Sequence, residues 1–122
     1  MTFDEYQGEA IRTVQPDADA VYLAGKLTCE AAEIFEPILK WYYHGKPFDQ
    51  KGIAEEIGDL LWYCAVLADK FSISFDDIAQ ANIAKLRQRH GDKYNAAHYT
   101  GNSFRYPVLS AEEAAKQGEQ AD

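Results

Sequence analysis

Two pairs of acidic residues with the same internal spacing are the features of this chain best suited to chemistry. Glu30 and Glu33 form the first pair, and Glu56 and Asp59 form the second. Because residues three apart lie on one face of a helix, each pair would aim two carboxylates in one direction. Two neighbouring antiparallel helices would bring all four together, where they would repel one another and resist desolvation unless a cation joined them. The spacing therefore predicts a Mg²⁺ site between two helices.

The ligand chemistry narrows the choice of metal. Oxygen ligands alone favour Mg²⁺, Mn²⁺ or Ca²⁺ over zinc. A di-iron helical bundle would use Glu-x-x-His pairs, but the residues three positions before the histidines are Trp41, Arg87 and Asn95. We therefore expect Mg²⁺, with Mn²⁺ as a substitute.

The segment 75–90 carries the side chains best suited to bind an anionic substrate. Its inward side begins apolar and then presents Asn82, Lys85 and Arg89 in succession. Cations that follow an apolar stripe inward are suited to contact a bound phosphate. The alternative is that Lys85 and Arg89 form the polar, solvated end of an amphipathic helix.

Two aromatic residues are candidates for contact with a nucleobase. Tyr63 lies one turn beyond Asp59 on the same flank of its helix, and Trp41 lies at the far end of the helix that carries Glu33. Aromatic residues at such positions more often belong to a hydrophobic core. Core packing is therefore the alternative to a base pocket for both residues.

Four helical segments would position these groups. Apolar periodicity, capping residues, prolines and glycines predict helices at about 3–14, 20–42, 50–71 and 75–90. Glu30 falls on the apolar stripe of the second helix, where the pattern requires another leucine. Pro37 in the same helix leaves the carbonyl of Glu33 without its usual donor, and it predicts a kink.

The third predicted helix is apolar nearly all round past Asp59. Such a helix is typical of the centre of a bundle or of a surface that a partner subunit covers. Its main apolar face is predicted to consist of Ile53, Ile57, Leu60, Cys64, Leu67 and Phe71.

The composition of the whole chain indicates its class and argues against several partners. A length of 122 residues with 47% apolar residues is typical of one globular domain. The net charge of −8 argues against a broad nucleic-acid-binding surface. The longest apolar run, residues 60–68, is far below the roughly 20 residues of a membrane span, and no signal peptide is evident. Cys29 and Cys64 fit small buried hydrophobes in a reducing compartment, so we expect a cytoplasmic protein.

The helical pattern stops after Gly91. Residues 92–109 mix Asn, Gly, Tyr and Phe without a period, and the residues beyond favour a frayed helix or a disordered end. We therefore expect a helical domain over residues 1–95 and an irregular C-terminal arm or tail over residues 96–122.

Taken together, these motifs resemble those of the MazG-like nucleoside triphosphate pyrophosphohydrolases, of the all-α NTP pyrophosphatase superfamily. The family pattern of E-x-x-E, a spacer and E-x-x-D is similar to residues 30–33 and 56–59 here, and the basic segment 82–91 is similar to the family's last helix. The likeness covers about residues 1–95. It implies an all-α, four-helix-bundle-type MazG-like fold that assembles as a homodimer or homotetramer.

The resemblance also implies an activity and a site. It implies hydrolysis of a nucleoside triphosphate between the α- and β-phosphates, which gives a monophosphate and pyrophosphate. It implies that the two acidic pairs ligate Mg²⁺, and that Lys85 and Arg89, with Asn82 nearby, contact phosphate. Glu33 is the hypothesised general base. Relatives suggest dUTP or dCTP as substrate, while pool house-cleaning, nucleotide supply and a stress response all stay open as physiological roles.

Two rival interpretations compete with the enzyme. The first is a catalytically silent helical dimer that binds a nucleotide or a protein partner. The second is a structural helical module whose acids face solvent. The first predicts no Mg²⁺-dependent release of pyrophosphate, and the second predicts no stabilisation by Mg²⁺ or Mn²⁺.

Overall fold

The computed structural model describes residues 1–93, which form four α-helices and no strand. The helices are α1 (Phe3–Ile11), α2 (Ala20–His44), α3 (Gln50–Lys70) and α4 (Phe75–His90). The all-α fold class predicted from the sequence is confirmed. The predicted arm at 96–122 lies outside the described residues.

Side-chain caps define where each helix begins. Thr2 and Glu5 form a capping box, in which the Thr2 hydroxyl accepts from Glu5 N at 3.0 Å and Glu5 Oε2 accepts from Thr2 N at 2.8 Å. Asp19, Asp49 and Ser74 accept a backbone N–H at the starts of α2, α3 and α4. Each cap satisfies a donor that has no partner within its helix, so local sequence determines these four starts.

Three helix ends differ from the prediction, and the smallest difference is that α3 ends at Lys70 instead of residue 71. The first helix ends at Ile11 instead of residue 14, because Thr13 donates to the carbonyl of Ala10 from both its backbone N–H and its hydroxyl, at 3.0 and 2.8 Å. In a continuing α-helix this carbonyl would instead accept from the backbone N–H four residues later. The second helix runs two residues further than predicted, to His44, and Gly45 ends it with a left-handed φ of 62°.

One long helix includes the proline. Pro37 lies inside α2, which continues through it as a single α-helix from Ala20 to His44. The kink predicted there stays a prediction.

Helix α3 is the central element, because it packs against α1, α2 and α4. Helix α1 packs closely on it through small residues, and the indole N–H of Trp62 donates to the Thr13 hydroxyl at 2.9 Å. The buried apolar side chains are Ala10, Ala18, Leu23, Ala65, Val66, Ala68 and Phe75.

The predicted main face of α3 is wrong in part. Ile57 is 51% exposed and Phe71 is 63% exposed, whereas the buried α3 positions are Ala65, Val66 and Ala68. The helix is apolar on several sides, and α1 covers the side with small residues, which lets the two backbones approach. Among residues 1–93, fewer side chains cover the opposite apolar side of α3.

Neither cysteine is fully buried, which corrects the expectation of two small buried hydrophobes. Cys29 is exposed, Cys64 is half-buried, and both are free thiols. Cys29 directly precedes the buried Glu30, so its side chain is turned about 100° away around α2. No helix in the described part of the chain is long and apolar enough to cross a membrane.

A candidate metal centre between two helices

Three carboxylates converge where α2 packs against α3. Glu30 and Glu33 come from α2 and Glu56 comes from α3, and one oxygen of each lies within 4.8 Å of the others. The turn at 45–49 folds α3 back along α2, so residues distant in the chain become neighbours. The three-residue spacing within α2 places Glu30 and Glu33 on the same side of that helix.

Burial distinguishes the three carboxylates. Glu30 is only 9% exposed, Glu56 is half-buried and Glu33 is exposed. The Oε2 atom of Glu56 is buried and has no hydrogen-bond partner among residues 1–93. A buried carboxylate oxygen without a donor is costly to the fold, and such an atom indicates a ligand.

Burial and mutual repulsion act in the same direction on two of these acids. Burial raises the pKa of Glu30, and the nearby charges of Glu33 and Asp59 raise it further, while Lys26 opposes them. Burial likewise raises the pKa of Glu56, followed by the effect of Glu33. The ionised cluster is therefore electrostatically strained, and a cation would relieve it.

Asp59 lies beside the converged group, one turn after Glu56 on α3. It is exposed and is not one of the three residues whose oxygens meet within 4.8 Å. Its charge nevertheless contributes to the raised pKa values of both Glu30 and Glu56. Asp59 is thus close enough to the cluster to act on it electrostatically.

The donor set fits a hard divalent cation. Mg²⁺ binds oxygen at about 2.0–2.1 Å, so two ligands on opposite sides of one ion are about 4.2 Å apart. Three carboxylate oxygens within 4.8 Å of one another need only small side-chain adjustments to reach such spacing. Carboxylates alone suit Mg²⁺ or Mn²⁺ better than zinc.

The two predicted base-contacting aromatics lie in different surroundings. Burial raises the pKa of the half-buried Tyr63 hydroxyl, and the charges of Glu30 and Asp59 also raise it, so Tyr63 lies near the acids. Trp41 packs instead in an aromatic group at the end of α2, with its ring 5.1 Å from that of Phe48. The structure therefore places Tyr63, rather than Trp41, in the electrostatic field of the cluster.

The predicted phosphate-binding side chains lie on a different part of the molecule. Asn82, Lys85 and Arg89 are exposed on α4. No Cα atom of α4 lies within 8 Å of a Cα atom of α2. Within one chain none of these three residues is among those that line the cavity beside the acids.

Sequence reasoning missed two cations that share a cavity with the acids. Lys40 and Lys46 line a cavity of about 530 Å³ that Glu33 and Glu56 also line. Lys40 lies in the last part of α2, and Lys46 lies in the turn that joins the two acidic helices. Their position next to that turn was the available signal, because a short turn between packed helices brings its neighbours close to both.

Comparison with known families bears on the same part of the chain. The family model for the MazG nucleotide pyrophosphohydrolase domain matches residues 21–93, which is more than half of the chain. The chain belongs to the MazG family. The matched range includes the acids of α2 and α3 and the basic part of α4, whereas α1 precedes it. Comparisons with curated proteins and with solved structures gave no match.

Membership in the MazG family agrees with the architecture and gives the site a context. MazG domains are all-α, as this chain is over residues 1–93, and the family is one of nucleotide pyrophosphohydrolases. The acidic cluster is therefore the candidate metal-binding group of this MazG domain.

Proposed function

We propose that this MazG domain is a Mg²⁺-dependent nucleoside triphosphate pyrophosphohydrolase. It hydrolyses a ribo- or deoxynucleoside triphosphate between the α- and β-phosphates and releases the monophosphate and pyrophosphate. The observation that supports this proposal best is the convergence of Glu30, Glu33 and Glu56, with a buried Glu56 oxygen that has no donor within residues 1–93. Mn²⁺ is expected to substitute for Mg²⁺.

Each acid has a distinct role in the proposed site. Glu30, Glu33 and Glu56 would hold the cation from two helices, and Asp59, which lies beside them, is the fourth proposed ligand. When bound, Mg²⁺ supplies neutralisation of phosphate charge and lowers the pKa of water. Glu33 is the exposed member of the cluster, so it can reach solvent and accept the proton of the attacking water as general base.

The α4 side chains would enter the site through assembly. Lys85 and Arg89, with Asn82, are proposed to contact substrate phosphates, yet no Cα atom of α4 lies within 8 Å of a Cα atom of α2 in one chain. Several large apolar side chains on the outside of α3 and α4 are exposed, which indicates a surface that a second copy covers. These side chains include Ile57, Phe71, Ile83 and Leu86. A homodimer or homotetramer would let α4 of one copy approach the acids of another.

The remaining proposals concern how the substrate is bound, where in the cell the protein acts, how its chain is divided and what its role is. Tyr63 is proposed to contact the nucleobase, because it lies beside the acids. Trp41 is the second proposed wall of a base pocket, at the other end of α2, where it packs on Phe48. The net charge of −8 is consistent with a small metal-complexed nucleotide as ligand rather than a nucleic acid. We propose a cytoplasmic enzyme with a helical domain over residues 1–95 and a C-terminal arm over 96–122, for which nucleotide-pool house-cleaning is a suitable role.

A substrate panel tests the activity and the site of cleavage together. The protein is incubated with each common ribo- and deoxynucleoside triphosphate, in Mg²⁺ and in EDTA, and pyrophosphate and phosphate are measured separately. We expect equal amounts of pyrophosphate and monophosphate in Mg²⁺ only. In ¹⁸O-labelled water the label should appear in the monophosphate, because the water attacks the α-phosphorus.

Two results would contradict the proposal in different ways. Release of single phosphate would indicate attack at the γ-phosphorus, and thus another reaction. No release from any triphosphate, together with binding of nucleotide, would support the catalytically silent dimer instead.

A further inference from the structure

The cavity beside the acidic cluster is lined by side chains of both charges. Glu33 and Glu56 line one part of it, and Lys40 and Lys46 line the part near the α2–α3 turn, with Pro37 along its wall. Its volume of about 530 Å³ falls within the range of about 300–1,000 Å³ that is typical of small-molecule sites. The acids of the candidate metal centre therefore face a space large enough for a polyphosphate.

The two lysines of the cavity are not equivalent. The Nζ atom of Lys40 lies 2.9 Å from Glu36, so its charge is already compensated. Lys46 has no ion pair with any residue in the range 1–93. Its charge is therefore the one available to a ligand in this cavity.

The turn holds the backbone of Lys46 in a defined place. The backbone N–H of Lys46 donates to the carbonyl of Lys40 at 3.1 Å, directly after Gly45 adopts a left-handed φ of 62°. The backbone N–H of Gly45 donates to the same carbonyl, so the Lys40 oxygen accepts both bonds that close the C-terminus of α2. The root of the Lys46 side chain is thus anchored by the helix end rather than by a loose loop.

The overall charge of the cavity determines the form of its ligand. Acidic side chains outnumber basic ones along its walls, because Glu36 and Asp49 join the two acids of the metal centre. A free anion would be repelled from such a cavity, whereas a phosphate complexed with a divalent cation would meet both ligands and a counter-charge. The chemistry thus favours a metal-complexed phosphate over free phosphate.

We propose that this cavity receives the β- and γ-phosphates of the substrate as their metal complex, and that Lys46 is the substrate-binding residue that contacts them. The inference rests on the proposed function, which it extends to a cation on the α2–α3 turn. A Lys46 ammonium beside the departing pyrophosphate would offset the charge that develops on it. The cations of α4 then serve a separate part of the substrate or a separate step.

Inorganic pyrophosphate is the probe that tests this placement directly. Its binding to the full chain is measured by calorimetry in Mg²⁺ and in EDTA, for the wild type and for Lys46→Gln, Lys46→Arg and Lys51→Gln. Lys51 is the matched control, because it is exposed on the first turn of α3, pairs with Glu55 at 3.9 Å and does not line the cavity.

We expect Lys46→Gln to weaken Mg²⁺-dependent pyrophosphate binding about tenfold or more, as the loss of a charge-assisted contact requires. The KM for triphosphate should rise by a similar factor. Lys46→Arg should retain most of the affinity, Lys51→Gln should bind as the wild type does, and EDTA should abolish binding. The Mg²⁺ affinity without pyrophosphate should be unchanged in all variants.

The outcomes separate this inference from the function on which it rests. Wild-type affinity and KM in Lys46→Gln, or no binding of pyrophosphate by the wild type, would overturn the inference even if triphosphates are hydrolysed. Conversely, Lys46-dependent binding of Mg²⁺-pyrophosphate by a protein that hydrolyses no triphosphate would support the cavity and contradict the enzyme.

Discussion

Glu30 on α2 and Glu56 on α3 hold carboxylate oxygens within 4.8 Å of each other, and burial raises the pKa of both. A carboxyl whose pKa is raised on folding favours the folded state only while it keeps its proton. Its contribution is complete below the unfolded pKa, near 4.5, and is lost as pH rises through the raised pKa of the folded state. At neutral pH the metal-free cluster therefore acts against folding.

The first prediction is that Glu56→Gln stabilises the metal-free protein. Gln keeps the shape of the side chain, removes a charge from the strained cluster and gives the buried position a donor. In EDTA at pH 8 the variant should have a higher free energy of unfolding than the wild type, and the difference should shrink as the pH falls toward 4.5.

Urea denaturation followed by circular dichroism measures this difference. The matched control is Glu55→Gln on the adjacent, exposed position, which should change stability little. Destabilisation by Glu56→Gln in EDTA would contradict the electrostatic description of the cluster.

The second prediction concerns stabilisation by metal. A ligand that binds only the folded state stabilises it, by about 2.7 kcal/mol at a concentration one hundred times its Kd. Mg²⁺ or Mn²⁺ should therefore raise the melting temperature of the wild type, and Glu30→Gln should remove most of that increase. Glu36→Gln is the control, because Glu36 pairs with Lys40 at 2.9 Å and is not in the converged group.

Differential scanning fluorimetry across a metal titration checks this expectation. If the metal raised the melting temperature of Glu30→Gln as much as that of the wild type, the cation would not bind at these acids. That result would favour a structural role for them.

The third prediction concerns Glu33 as ligand and base. Loss of a general base typically slows a reaction by about 10²–10⁴-fold. Glu33→Gln should therefore lower kcat by a factor in that range. Glu55→Gln should leave kcat close to that of the wild type, because Glu55 is exposed, pairs with Lys51 and does not line the cavity. Steady-state assays of pyrophosphate release measure both variants. Wild-type turnover in Glu33→Gln or in Asp59→Asn would exclude this site.

The fourth prediction concerns a buried amide that joins three helices. Gln7 on α1 donates to the carbonyls of Ala65 and Ile73, each at 3.0 Å, and accepts from Phe75 N at 3.1 Å. Gln7→Leu would leave buried backbone groups without this partner, and it should cost about 2–4 kcal/mol of stability. The exposed Gln15→Leu is the control.

Urea denaturation of the two glutamine variants tests this contribution. A cost below about 1 kcal/mol for Gln7→Leu would show that solvent or other groups replace its hydrogen bonds. Gln7 accepts a hydrogen bond from the backbone at the start of α4. The same variant should therefore also make the orientation of α4 relative to the other helices less fixed.

Local features of the sequence determined where the helices begin and in which direction the acidic side chains point. Caps and periodicity depend on residues a few positions apart, so the start of every helix and the whole of α4, Phe75–His90, agree with the prediction. Glu30 on an apolar stripe is buried as its position required. The three-residue spacing and the short turn were enough to predict that acids of two helices meet.

Only the tertiary structure decided which apolar side of α3 is covered, where α4 points and which cations face the acids. Periodicity shows which residues share a helix face, but the face that meets a neighbour depends on how closely two backbones can approach. Helix α1 packs against the side of α3 that carries Ala65 and Ala68, and Ile57 stays exposed. The basic residues of α4 therefore lie apart from α2 within the chain, while Lys46, carried by the turn, shares the cavity of Glu33 and Glu56.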